Sequence, residues 1–280
     1  MMRRERGYIL AGFCYLTVSV AACCAADRED GNALTPEEKA AGWTLLFDGK
    51  TMHGWDDPRM KSPPGDAWTI EDGCLKANRN PRITEDLFTQ DTFTDFELML
   101  EWRISPGGNS GVKYRIQDHW FIAPRESGAP HERFEASVER SFLHPVSQRP
   151  QRGQDYVIGF EYQITDDAQN GDAKGNFKHT AGALYDMVAP SSAATRPVGE
   201  FNQSRILVRG NHVEHWMNGV KVVDSSLDSA DAMSGIQTRW GVAPHVYELL
   251  AKQPKKDCPI SLQNHGNDAW FRNIKIRRLH

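Results

Sequence analysis

Glu161 and Gln163 stand two residues apart inside GFEYQITDD, a stretch that otherwise reads as a β-strand and closes on Asp166 and Asp167. Side chains alternate along a strand, so Phe160, Tyr162 and Ile164 take one face while Glu161, Gln163 and Thr165 take the other. Two more stretches repeat the arrangement. NSGVKYRIQD sets Val112, Tyr114 and Ile116 against Gly111, Lys113 and Arg115, with Asn109 beyond them, and ISLQNHG sets Ile260 and Leu262 against Gln263 and His265. A carboxylate, an imidazole, cations and amides on such faces are the groups that move protons and hold a polar substrate. Antiparallel sheets commonly wet one face, but those faces carry mostly Lys, Glu, Thr and Ser. The concentration of His, Gln, Asn and Arg predicts a concave binding surface instead.

The elements that must position these residues are short strands punctuated by Gly, Asn, Asp and Pro. From Trp43 onward they include WTLLFDG, AWTIEDGCLKA, DFELMLEWRI, SRILVRG, HVEHWMNGVKVVD and AWFRNIKIRRL. Asn218-Gly219 inside MNGV predicts a two-residue hairpin turn. Such spacing argues for an all-β, antiparallel sandwich or barrel. Before it, LTPEEKAAG predicts a short helix with Thr35 as N-cap, Pro36 in the first turn and Gly42 as the stop. Two stretches break the strand rhythm. Residues 119–154 are long and irregular, with RFEASVERSF as a short amphipathic helix, and residues 224–259 hold helical excursions at SLDSADAMS and PHVYELLAKQ.

The first residues read as a secretory signal: Arg3, Arg4 and Arg6 precede an apolar run from Tyr8 to Ala22. Val20-Ala21-Ala22-Cys23 resembles a lipobox, which predicts lipidation at Cys23, a membrane anchor and a place in the bacterial envelope, in the periplasm or at the outer membrane. Ordinary cleavage among the small residues that follow is the alternative. Removing residues 1–22 takes away three Arg and one Glu, so a formal charge of −4 becomes −6. With no basic stripe, nucleic acid is excluded as a partner. The mature chain keeps Cys74 and Cys258, and export makes a disulfide between them chemically possible. The division expected is a signal peptide over 1–22, a tether and short helix over 23–41, and one domain over 42–280.

GWTLLFDGKTMHGW, NSGVKYRI, GFEYQITDD, TAGALYDMVAP, VGEFNQSRILVRGNHVEHWMNGVKVVD and SLQNHGNDAWFRNIKIRRL, taken together and in order, resemble the 3-keto-disaccharide hydrolase domain family. The resemblance runs from about Gly42 to Leu279. It implies a jelly-roll sandwich of the concanavalin A-like lectin and glucanase type, with a carbohydrate groove on the concave sheet. It also implies chemistry on sugars oxidised at C3, where the ketone acidifies the C2 hydrogen. A base removes that hydrogen, the glycosidic oxygen leaves C1, and water adding back makes the net reaction hydrolysis. The alternative is a non-catalytic carbohydrate-binding protein that uses the same groove.

On this footing Glu161 leads as general base or metal ligand, His265 as proton shuttle or ligand, and Asp167 as a second acid reaching the groove while Asp166 fixes the turn. Each has a plainer role available: Glu161 in an ion pair with Lys113 or Arg115, His265 in a strand-end turn. Asn109, Lys113, Arg115, Gln163 and Gln263 are expected to bind substrate, with His179 and Tyr185 of KHTAGALYD at the rim. A divalent metal is possible as cofactor. His212 and His215, three apart on a strand, point to opposite faces and do not share one. Two departures stand out. Related sequences commonly carry a His-containing loop where this chain has ITDDAQNGDAKG, and LQDHG where it reads LQNHG with Asn264. Each substitution removes a potential ligand or acid, for which His119, His131 and His144 of the long insertion are the available replacements.

Overall fold

Thr35 and Glu38 cap each other at the start of the first helix, as their spacing requires: Glu38 N donates to Thr35 Oγ1 (3.1 Å) and Thr35 N to Glu38 Oε2 (3.0 Å). The helix, α1 (Pro36–Ala40), stops at Gly42, whose φ of 80° suits glycine. The computed structural model describes residues 31–57, 65–124, 132–145, 151–252 and 254–279. The leader, Cys23 and His131 lie outside these residues.

The strands that follow are β1 (Thr44–Leu45), β2 (Trp55–Asp56), β3 (Trp68–Glu71), β4 (Cys74–Ala77), β5 (Ile83–Thr84), β6 (Leu87–Thr89), β7 (Phe96–Ile104) and β8 (Asn109–Ile122). Helix α2 (Phe134–Leu143) precedes β9 (Gly153–Thr165), and a 3-10 turn (Phe177–His179) precedes β10 (Asn202–Arg209), β11 (His212–Met217) and β12 (Val220–Ser226). The chain ends with α3 (Ala230–Trp240), α4 (Pro244–Ala251), β13 (Ser261–Leu262) and β14 (Ala269–Arg278). Asn218 and Gly219, at φ 48° and 83°, make the predicted turn between β11 and β12.

Two sheets enclose the core in a jelly-roll sandwich. The larger runs β12-β11-β10-β7-β14-β4-β3, with β1 also on β14; the smaller runs β2-β6-β13-β8-β9-β5. All pairings are antiparallel except β5 with β9. Inward residues such as Val112, Tyr114, Phe160, Tyr162 and Ile164 meet Leu98, Trp102, Ile206 and Val208 of the facing sheet in one apolar cluster. The polar atoms in this layer are partnered. Trp102 Nε1 donates to Ser204 Oγ (2.8 Å), Ser204 Oγ to Tyr162 Oη (2.7 Å), and Tyr114 Oη bonds His215 Nε2 (2.9 Å). His215 is therefore a core residue, and burial lowers its pKa to about 4.

Among the described residues of the irregular stretch at 119–154, β8 continues to Ile122, α2 forms where RFEASVERSF predicted it, and β9 begins at Gly153. The excursions at 224–259 are α3 and α4, and Val138, Ile236, Trp240 and Val246 join α2, α3 and α4 to the main core. Cys74 and Cys258 are both buried and both free, so the disulfide does not form.

Candidate active site

The three strands with chemically loaded polar faces are neighbours, in the order β13-β8-β9. Their registers place Ser261, Lys113 and Glu161 in one cross-strand row and bring Gly111 opposite Gln163. Over them lies an open cleft of about 610 Å³. β8 and β9 contribute Asn109, Glu161 and Gln163, the segment just after β13 contributes Gln263 and His265, the segment after β9 contributes Asp172, His179, Tyr185 and Asp186, and α2 and α3 close one side with Phe134, Glu135 and Arg239.

Glu161 occupies its place because Gly111 has no side chain. A methyl group on Gly111 would stand 2.9 Å from Glu161 Cδ and 3.0 Å from Cγ, and closer still to Oε1. The half-buried carboxylate rests on the strand beside it, and burial raises its pKa to about 7 against the opposing fields of Lys113 and Arg239. Gln163, two residues along, reaches it: with the amide nitrogen turned inward, Gln163 donates to Ser110 O (3.1 Å) and Glu161 Oε1 (3.2 Å). Gln263 is clamped by its backbone, its N–H donating to Gly111 O (2.9 Å) and its carbonyl accepting from Ser110 Oγ (2.7 Å). Its side-chain Oε1 is buried and has no partner among the described residues, the condition of a group awaiting a ligand or water. His265 stands exposed at the lip; desolvation by the surrounding protein and the charge of Lys113 lower its pKa, which favours the neutral imidazole.

The far wall is a chain of charged partners. His179 Nδ1 bonds Asp172 Oδ1 (3.0 Å), its Nε2 bonds Asp186 Oδ1 (2.6 Å), and its ring stacks on Tyr185 at 4.4 Å. Burial alone would lower the His179 pKa; the two carboxylates outweigh burial and hold it at about 9. Tyr185 Oη donates to Asp172 Oδ2 (2.7 Å), while Arg239 donates to Asp186 Oδ2 (2.7 Å) and to Tyr156 Oη (2.9 Å). His179 and Tyr185 thus stand in the cleft, held by partners that strand alternation does not reveal. Asp172, Asp186 and Arg239 escape a sequence reading because no periodicity ties a loop or a helix to the face of β9, and Tyr156, on β9 itself, escapes it because the register shifts between it and Glu161.

Three expected site residues lie elsewhere. Lys113 is 2% exposed beneath the floor, its Nζ 3.5 Å from Asp86 Oδ2 and 3.4 Å from Val157 O, so it contributes charge from below and no surface. Asp86 also accepts from Ser261 Oγ (3.0 Å). Arg115 leaves the face altogether. Its φ of 52° marks a bulge where the register of β8 shifts, and its guanidinium donates to Lys256 O (2.6 Å) and Gly210 O (2.8 Å), away from the cleft. Asp167 turns aside at the end of β9 to accept from Ala181 N (2.8 Å), while Asp166 fixes the turn by accepting from Gly107 N (2.8 Å), Ala168 N and Gln169 N.

Of the insertion histidines, His119 bonds Asp155 Oδ2 (3.2 Å) and His144 caps α2; neither lines the cleft. Asn264 is buried and donates to Ala67 O (2.8 Å) and Asn78 O (3.2 Å), work that a carboxylate does not do. Asn170 holds the loop after β9 by donating to Gly107 O (2.9 Å). Among the described residues, the one group of three His, Cys, Asp or Glu ligand atoms within 4.8 Å of one another is His212, Glu214 and Asp224, on the β11–β12 hairpin of the other sheet. Lys221 already pairs with Glu214 (3.2 Å) and with Asp224 there. Among the described residues the cleft assembles no such triad.

Over residues 42–277 the sequence matches the model of the 3-keto-alpha-glucoside-1,2-lyase-like domain. A 3-keto-disaccharide hydrolase from Bacteroides thetaiotaomicron is 32% identical over 257 residues, 86% of this chain and 79% of that protein. Among solved structures, a protein from Parabacteroides distasonis assigned as a glycosyl hydrolase superposes with a TM-score of 0.66 at 28% identity, over 89% of this chain and 99% of its own. A second protein of that organism with the same assignment shares the fold, at TM-score 0.56 and 24% identity over 85% and 99% of the two chains.

Proposed function

Because this chain belongs to the 3-keto-alpha-glucoside-1,2-lyase-like domain family, we propose that it cleaves 3-keto-glycosides, with Glu161 as the base. The observation that carries the proposal is a carboxylate with a pKa of about 7, set in a cleft among amides and cations. At neutral pH such a group is ionised often enough to accept a proton and basic enough to want one.

The ketone at C3 makes the C2 hydrogen acidic. Glu161 takes that proton, the electrons of the C2–H bond form the enolate, and negative charge gathers on the C3 oxygen. The Gln263 amide and the fields of Arg239 and the buried Lys113 are the groups near enough to stabilise it. When the enolate reforms the ketone, its electrons form the C1–C2 double bond and expel the glycosidic oxygen. The neutral imidazole of His265 accepts a proton on one nitrogen and releases one from the other, which suits it to carry the Glu161 proton to the leaving oxygen. Elimination ends there; water added across C1–C2 completes a hydrolysis. The proposal includes export, on the strength of the leader and Cys23.

The test is turnover of a 3-keto-glucoside by the mature chain beside Glu161→Gln, each with and without a chelator. A loss of about 10²- to 10⁴-fold in kcat is expected for the variant, with an acid limb near pH 7 in the parent enzyme. An equally active Glu161→Gln would remove the base from this strand. No turnover by the parent, with saturable binding of a plain oligosaccharide, would leave a carbohydrate-binding protein. Loss of activity with chelator would add a metal to the scheme.

A further inference from the structure

The cleft is asymmetric about Glu161. Toward the end of β9 it meets the amides of Gln163 and Gln263 and then Asn109, opposite Thr165, within four residues, roughly 13 Å of strand. Toward the start of β9 it continues through Tyr156 to Gln154, seven residues or roughly 23 Å of extended chain. The short arm is rich in hydrogen-bonding groups, including the unpartnered Gln263 Oε1, and matches one oxidised ring with its ketone and hydroxyls. The long arm has a different character. It ends on Phe134, the first residue of α2, whose ring is 38% exposed although the side chain is fully apolar. That ring meets Tyr156 edge-on, with centroids 4.9 Å apart at 76°. Tyr156 is itself held by Arg239, which donates to its hydroxyl.

We propose that Phe134, backed by Tyr156, is the platform for the leaving group, and that the enzyme therefore prefers substrates whose leaving group presents a flat apolar face: a second pyranose or an aromatic ring. This rests on the cleavage reaction proposed above. The 3-keto ring sits in the short arm, its C1 substituent points along β9, and the leaving group lies against Phe134. A rigid ring that costs little conformational entropy on binding is the kind of group that recognises a sugar face or an arene.

The experiment compares methyl and benzyl 3-keto-glucosides, whose leaving alcohols are of similar acidity, with a 3-keto-disaccharide, for the mature chain, Phe134→Ala and Phe134→Tyr. Expected is a fall of about tenfold in kcat/KM for the benzyl compound and the disaccharide in Phe134→Ala, carried by KM. The methyl compound, too short to reach the ring, is expected to lose several-fold less than the other two, and Phe134→Tyr to restore the benzyl and disaccharide rates. An equal loss on all three substrates, or no loss on any, overturns the platform. Should the parent enzyme turn over none of them, cleavage itself fails, and calorimetric titration with unoxidised benzyl glucoside then decides. Binding weakened by Phe134→Ala and restored by Phe134→Tyr still supports the platform; binding that is absent, or indifferent to position 134, overturns it.

Discussion

Replacing Gly111 with alanine adds one methyl group where Glu161 rests, and its consequences are separable. The backbone at Gly111 does not lie in the left-handed region, so alanine fits its conformation without strain. Alanine there should gain about 0.4–1 kcal/mol from a less flexible unfolded chain. Pushing Glu161 off its rotamer costs about 0.5–1.5 kcal/mol. Stability should therefore stay within about 1 kcal/mol of the parent. Catalysis should not. The new methyl would stand 2.9 Å from Glu161 Cδ, where ordinary contact begins at 3.4 Å, and closer to the carboxylate oxygen. The carboxylate must move by about 1 Å, a displacement that costs a positioned base about 10²-fold. It also moves toward solvent, so its pKa should relax downward from about 7 and carry the acid limb of the rate profile to lower pH. The assay is kcat and KM against pH on a 3-keto-glucoside, beside thermal denaturation. A Gly111→Ala enzyme with an unchanged Tm, unchanged kcat and an unmoved acid limb would refute the placement of the base on this floor.

The other expectations concern the wall and the floor of the cleft. The folded-state pKa of His179 is raised from 6.5 to about 9, so the stability it supplies is fully present below pH 6.5 and is lost as pH rises through 9. Between those values the parent should lose Tm more steeply than His179→Gln; parallel curves would show that the two carboxylates do not hold a cation. Lys113→Met removes one partner of a buried pair and should cost about 3–5 kcal/mol, a good part of it recovered in the double variant with Asp86→Asn. Denaturant titration of both variants checks this, and a single variant as stable as the parent would show that the pair does not hold the floor.

What was legible in the sequence follows from the range of each cause. Period-two alternation is local, so the polar faces of β8, β9 and β13 could be read from NSGVKYRIQD, GFEYQITDD and ISLQNHG, and with them the floor of the cleft. Alternation fails where the backbone breaks step. The bulge that removes Arg115 from the floor has no Gly or Pro beside it on β8 to announce it; its signs are the φ of 52° at an arginine and, across on β9, Gly159, where a Cβ would stand 3.0 Å from Tyr114 O. Lys113 reads as a surface cation until Asp86, on a separate segment of the chain, buries it.

The walls are nonlocal altogether, and this bears on mechanism as well as on prediction. β8, β9 and β13 alone supply a glutamate and amides on a face that water would reach, and an exposed glutamate titrates near 4.5, too weak a base to deprotonate carbon efficiently at neutral pH. Burial is the largest influence raising the Glu161 pKa, and the cleft around it is closed by Arg239 from α3 and Phe134 from α2 as well as by the strands. Those helices arise in the two stretches where the strand rhythm lapses. The proposed base is thus legible in the nine residues GFEYQITDD. Its strength is written in helices whose own sequences give no sign of what they cover.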